Sequence, residues 1–256
     1  MNSEVIKKVG IVGAGNLAWH LSVGLQNAGF EIEGVYNRSK ENAEILATKL
    51  NTKVVTNFKR FRNCDLILLM VSDDAIRELA GEINQLDAIV AHTSGNTSLE
   101  ILFPHQKIGV LYPVQSFSKD LEVDLKKVPF LIEGNNDFVE NSLFNLAAKL
   151  SQEVYKITSF QRRRLHVAAV FANNFTNHML KQAYDICEEN DIPFSVLSPL
   201  IDETVSKLKT VRPSQAQTGP AIRHDHKTIE IHKNLLEGNY LKLYELITAD
   251  IVETYS

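Results

Sequence analysis

Cysteine, tryptophan and long apolar runs are the scarce features of this sequence. Of its 256 residues only two are cysteine, Cys64 and Cys187, and one is tryptophan. Two cysteines so far apart exclude a disulfide scaffold and a thiolate zinc site. Both sit among apolar neighbours, as reduced buried thiols do, which points to a cytoplasmic protein. No stretch of about 18 uncharged apolar residues occurs, so no membrane span is expected. The segment from Met1 to Lys8 lacks the apolar run of a secretion signal. Basic excess is absent too: 27 Lys and Arg stand against 31 Asp and Glu, a net charge of −4. Neither half of the chain is basic, which argues against a sequence-independent grip on DNA or RNA. The histidines, among them His178, His224, His226 and His232, show no metal-ligand spacing supported by acids or cysteines, so no metal is expected. A hydrophobic share of 44% and a charged share of 23% leave the class of ordinary globular proteins. The length suits one or two domains with a sizeable core.

Up to about residue 157 short apolar runs alternate with helical stretches. The runs are 9–12, 32–36, 54–55, 66–71, 88–91, 108–111 and 130–132. Leu66-Ile67-Leu68-Leu69-Met70-Val71 has no polar face, as in parallel strands covered on both sides. Candidate helices lie between them at 17–28, 39–50, 74–83, 99–102 and 138–150. Strand and helix in alternation predict an α/β domain, a doubly wound, mostly parallel Rossmann sheet over residues 1–157.

Residues 158–256 change style and predict an all-helical C-terminal domain for substrate binding and dimerisation. No glycine or proline interrupts Ser159 to Asn190, so a helix of about 30 residues, roughly 45 Å long, is expected there, with Ser159 as N-cap. Further helices are expected at 197–209, 225–236 and 240–254, with a loop at 211–219. A helix that long cannot be covered by the residues that follow it, which predicts a homodimer through this domain. Arg162-Arg163-Arg164 is the single basic run; it reads as a solvated first turn or as an anion contact at a cleft between the domains.

Gly13-Ala14-Gly15-Asn16-Leu17-Ala18 directly follows the first strand and opens a helix, matching G-x-G-x-x-G/A. Gly13 allows the tight turn, Gly15 lets a pyrophosphate approach the backbone, and Ala18 lets the helix pack on the strand. The helix N-terminus offers free N–H groups to the phosphates. The pattern predicts a bound dinucleotide. NAD sites carry an acid at the end of the second strand. Here Asn37-Arg38-Ser39 stands instead, and Arg38 and Ser39 suit the 2′-phosphate of NADP. Glu33 is the rival acid but lies too early in its strand, and Ser39 equally suits a helix cap. By the switch-point rule, the strand ends Val71-Ser72-Asp73-Asp74, His92-Thr93-Ser94-Gly95 and Tyr112-Pro113-Val114-Gln115-Ser116 converge on the same cleft. Val71, Ser72, Thr93 and Ser94 are expected to touch the cofactor. Asp73 or Asp74 reads as a helix N-cap, and Gly95 as a turn residue.

These segments, with His166 to Phe175 and Thr218-Gly219-Pro220 followed by Arg223 and Asp225, resemble the superfamily of 6-phosphogluconate and β-hydroxyacid dehydrogenases and pyrroline-5-carboxylate reductase. The N-terminal part also looks like deazaflavin-dependent NADP reductases. The strongest resemblance is to a two-domain family of NADP oxidoreductases whose helical domain has no settled substrate. It implies NADP, hydride transfer and a dimer. β-Hydroxyacid dehydrogenases carry K-x-x-N-N on the long helix, with the lysine as acid/base. Here the segment is Val170-Phe171-Ala172-Asn173-Asn174, and valine cannot carry a proton. The S-P-G-G-T-T stretch of pyrroline-5-carboxylate reductases is absent. Tyr112 stands where the two-domain family commonly has histidine.

At about 100° per residue, Asn173 and Asn177 lie within roughly 20° of His166, and Asn174 lies about 80° away. Their neighbours are so apolar that the helix is expected to be buried nearly all round, with the polar stripe lining a cleft. The candidate catalytic residues are His166 and Asn174, imidazole for the proton and amide for holding the substrate, with Asn173, nearer the His166 line, as the alternative to Asn174. The expectation is an NADP(H)-dependent oxidoreductase acting on a small substrate bound between the two domains. The competing reading is a non-catalytic NADP(H)-binding sensor or regulator, favoured by Val170.

Overall fold

The computed structural model describes residues 6–83 and 86–256; residues 1–5, where the N-terminal segment discussed above begins, and 84–85 lie outside the description. The chain divides into two compact units, 1–172 and 173–256.

The first unit runs β1 (Lys8–Val12), α1 (Asn16–Asn27), β2 (Glu31–Tyr36), α2 (Lys40–Lys49), β3 (Leu66–Leu69), α3 (Asp73–Glu82), β4 (Ile89–His92), β5 (Ile108–Pro113), β6 (Phe130–Gly134), α4 (Asp137–Ala148), β7 (Val154–Lys156) and α5 (Ser159–Ala169). The seven strands form one sheet in the order β2-β1-β3-β4-β5-β6-β7. From β2 to β5 all neighbours are parallel. β6 is antiparallel to β5, and β7 parallel to β6. The doubly wound, mostly parallel sheet is thus present. The chain goes from β1 to β2 on one side and returns to β3 on the other, so the crevice opens at the C-terminal end of β1.

β3 shows why a run with no polar face is needed. All four of its residues are buried. Leu66 and Leu68 join the cluster containing Leu21 and Leu25 of α1, Leu46 of α2 and Leu143 of α4. Ile67 and Leu69 join the opposite cluster, with Ile76 and Leu79 of α3. Strand alternation therefore sends apolar side chains into helix layers on both faces.

Three local expectations differ. Val54–Val55 makes only a single parallel bridge, Val54 to Val35, because the chain turns into a 3₁₀ segment at Phe58–Phe61. β7 carried no legible signal, being three residues long on a partly exposed edge. The N-cap of α5 is Thr158, not Ser159: the Thr158 Oγ1 accepts from the Gln161 N–H, and Gln161 Oε1 accepts from the Thr158 N–H, a capping box. Ser159 instead donates from its N–H and hydroxyl to Glu133.

Beyond α5 the helical path continues as a π segment, Val170–Phe175, and then α6 (Thr176–Glu189). A count of 100° per residue does not hold across a π turn, where bonds run from i to i+5. The stripe drawn from His166 to Asn177 is displaced accordingly. Val167, Phe171 and Phe175 are exposed in the single chain, which corrects the expected all-round burial. The second unit continues with α7 (Ser198–Lys207), the one-turn α8 (Pro213–Ala216) inside the expected loop, α9 (His226–Asn234) and α10 (Gly238–Tyr255). Among its described residues only Cys187, Ala221 and Ile229 are buried apolar side chains. No helix of the described residues is long and apolar enough to cross a membrane.

Candidate functional site

In the turn after β1, Gly13 has φ +115°, and a Cβ there would stand 2.1 Å from the Met70 carbonyl oxygen. Only glycine fits that combination. Its N–H donates to Tyr36 O at 2.8 Å, tying the loop to the end of β2. Gly15 differs. It is the N-cap of α1 in extended conformation, and a Cβ there would meet nothing within 4 Å. No side chain caps α1, so its first N–H groups face the open space beside Gly15. Ala18 is fully buried beneath the helix.

That space is a cleft of about 580 Å³ within the first unit. Gly13, Ala14, Gly15, Asn16 and Leu17 form its floor, and Asn37 and Arg38 line it at the end of β2. Val71 and Ser72 line it after β3, Thr93, Ser94 and Gly95 after β4, and Tyr112 and His166 close the far end. Arg38 is 77% exposed and meets Glu78 at 3.5 Å, a surface pair too weak to hold it. Ser39 is not among the lining residues; its Oγ accepts from the Asn42 N–H and caps α2. Glu33 is taken up by Lys8 on β1. The N-cap of α3 is Ser72, so Asp73 and Asp74 fall in the first turn, where carboxylates suit the helix dipole.

The polar stretch after β4 is mostly scaffolding. His92 is fully buried, its Nδ1 accepts from the Ser94 N–H at 3.1 Å, and its Nε2 has no partner among the described residues. Burial, with the nearby Arg162 charge, pushes the imidazole down to about 4, so it is neutral. Ser94 Oγ accepts from the N–H groups of Asn96 and Thr97. Gly95 is not held by a turn requirement. A Cβ there would lie 2.5 Å from His166 Nδ1 and 2.8 Å from Tyr112 Cζ, so its absence makes room for both rings.

Those rings are the pair the sequence did not reveal. The Tyr112 hydroxyl and His166 Nδ1 are 3.0 Å apart, with the rings edge-on. Burial raises the Tyr112 phenol above its usual range. One turn before His166, Arg162 is fully buried, which corrects both readings for that arginine, while Arg163 and Arg164 are exposed as a solvated first turn expects. Its Nη1 donates to Ser94 O and Thr97 O at 2.8 Å each, and its Nη2 to Glu133 Oε2 and Ser159 Oγ at 3.1 Å. The i, i+4 spacing of Arg162 and His166 was the available signal, since it sets both on one helix face. Asn174 lies in the π segment, in the second unit, and is exposed. Among the described residues no group of three or more His, Cys, Asp or Glu could hold a metal ion.

Residues 3–114 match a Rossmann-like domain, and residues 128–251 match a domain of unknown function, DUF2520. A Bacteroides fragilis protein described as a "putative NADP oxidoreductase" is 38% identical, over 98% of this chain and 100% of that one, with a TM-score of 0.89. The chain belongs to the same family as that oxidoreductase. The family's fold extends to more distant structures. An imine reductase from Myxococcus stipitatus in complex with NADP+ is 16% identical, over 96% of this chain and 93% of that one, with a TM-score of 0.71. A 1-pyrroline-5-carboxylate reductase from Streptococcus pyogenes is 14% identical, over 97% of each chain, with a TM-score of 0.68. No curated protein matches the chain.

Proposed function

We propose that this protein is an NADP(H)-dependent oxidoreductase that exchanges a hydride with a carbon of a small alcohol or amine, or of the matching carbonyl or imine. The observation that carries the reading is the single cleft running from Arg38, past the glycine loop, to Tyr112 and His166. The residues fit the cofactor: the space a Gly15 Cβ would fill and the uncapped start of α1 suit the pyrophosphate. Arg38 serves the 2′-phosphate, with Ser39 and Asn37 beside it. Val71, Ser72, Thr93 and Ser94 serve the nicotinamide half. When bound, the nicotinamide supplies the hydride chemistry. His166 handles the proton and Asn174 holds the substrate oxygen or nitrogen. The sensor reading is favoured by Val170 in place of the superfamily lysine; the Tyr112–His166 pair in the cleft weighs against it. The free, buried thiols Cys64 and Cys187 suit the cytoplasm.

Cofactor choice tests the reading. A charge-assisted hydrogen bond to phosphate contributes about 1.5–3 kcal/mol, roughly 10- to 150-fold. Arg38→Ala should weaken NADP binding by that factor and leave NAD nearly unchanged in calorimetry. Equal affinity for NADP and NAD in the unaltered protein would sink the assignment.

We also assign a homodimer through the helical unit. With only three buried apolar side chains, that unit has too little core of its own, while Val196, Leu200, Leu235 and Leu246 are exposed. Light scattering on the full chain at micromolar concentration should give twice the chain mass. A monomer refutes the assignment.

A further inference from the structure

We propose that the Tyr112 hydroxyl is the group that exchanges a proton with the substrate's oxygen or nitrogen, and that His166 stands behind it as the proton store. The proposal rests on the NADP oxidoreductase reading.

Three features assemble this pair. Tyr112 comes from the end of β5 and His166 from α5, and both line the end of the cleft opposite Arg38. Gly95 leaves the space both rings occupy. Arg162, with its bonds to Ser94, Thr97 and Glu133, pins the face of α5 that carries His166. The position of the imidazole relative to the phenol is thus held from two sides.

In the proposed relay the phenol donates its one O–H to His166 Nδ1, which lies 3.0 Å away. Donation there leaves Nδ1 as a lone pair and puts the ring proton on Nε2. The Tyr112 oxygen keeps its own lone pairs for a substrate O–H or N–H. Burial keeps the phenol protonated at neutral pH, so Tyr112 accepts a proton only by passing its own to His166.

The step balances in the oxidising direction as follows. The substrate C–H bond breaks, and a bound NADP+, held by the glycine loop and Arg38, would take up its hydride. The substrate O–H or N–H bond breaks and its proton goes to the Tyr112 oxygen. The Tyr112 proton moves to His166 Nδ1, which becomes an imidazolium, and the substrate is left with a C=O or C=N bond. Reduction runs the same transfers backwards, with the imidazolium recharging the phenol.

The test needs no substrate. Full-length protein with ¹⁵N-labelled histidine rings and ¹³Cζ-labelled tyrosine is observed by NMR at neutral pH, without and with NADPH. The expected result is an unprotonated Nδ1 and a protonated Nε2 on His166. Tyr112→Phe should shift the His166 ring nitrogens toward those of a mixed tautomer, and His166→Gln should shift the Tyr112 Cζ resonance. A ring proton found on Nδ1 overturns the relay, as does an unchanged His166 ring in Tyr112→Phe. Should Tyr112→Phe not fold, the wild-type tautomer and His166→Gln decide alone. Calorimetry with NADPH on the same sample separates the two readings. Absent NADPH binding overturns the oxidoreductase reading and the relay with it; NADPH binding with the proton on Nδ1 overturns the relay alone.

Discussion

Replacing Arg162 by alanine is expected to destabilise the protein by about 3–5 kcal/mol, the usual cost of removing one partner of a buried ion pair. The guanidinium is fully buried and the Glu133 side chain is 14% exposed, so water cannot take its place. The change also strands the carbonyls of Ser94 and Thr97 and empties the space under the start of α5. For a unit of this size the loss corresponds to a fall in Tm of roughly 6–20 °C. Thermal and urea unfolding read it directly. Arg162→Met combined with Glu133→Gln should cost less than the sum of the single changes, because no uncompensated charge then remains. A loss below about 1 kcal/mol for Arg162→Ala would place the pair among solvated surface bridges, whose contribution lies in that range.

The two loop glycines should separate into a structural and a functional one. Gly13→Ala puts a methyl 2.1 Å from Met70 O at a φ of +115°, and neither the backbone of β1 nor that after β3 can give way within a packed sheet. Strained φ alone costs about 1–3 kcal/mol, and the clash adds to it, so loss of the fold is the expected outcome. Gly15→Ala has an extended backbone and open space before it, so its unfolding free energy should change by no more than about 0.5 kcal/mol. On the proposed cofactor reading, its methyl would stand where a pyrophosphate approaches the uncapped start of α1. NADPH affinity should therefore fall at least about tenfold, equivalent to ~1.4 kcal/mol. Normal NADPH binding by a folded Gly15→Ala protein would mean that the phosphates do not lie on this loop.

What could be read from the sequence was local. β1, the glycine loop and α1 are contiguous, so the tight turn at Gly13 and the packing of Ala18 could be read from spacing. The apolar run of β3 announces a strand covered on both faces, because alternate residues must each find a helix layer. Arg38 follows β2 directly and needs no tertiary information to be placed beside the loop. The longer helices of the second unit are likewise legible from the spacing of glycine and proline, whereas the one-turn α8 fell in an expected loop.

What only the tertiary structure decided are contacts between residues far apart in sequence. Tyr112 and His166 are 54 residues apart, and Arg162 reaches Ser94 across 68. Each of these pairs exists because the ends of β4 and β5 lie side by side and the first turns of α5 pack against them. Strand order and the reversal at β6 are set by the global packing of the sheet, and no local period encodes them. The same holds for Gly95, whose missing Cβ is explained only by two rings that arrive from other elements. The π turn at Val170–Phe175 escaped for a different reason: it sits within one continuous helical stretch, and no glycine or proline in that stretch marks it. Arg162 shows the consequence. In sequence it is one of three arginines in a polar first turn; in the fold it alone faces inward, because the hundred-degree step of the helix turns that one side chain toward Glu133 and leaves Arg163 and Arg164 exposed.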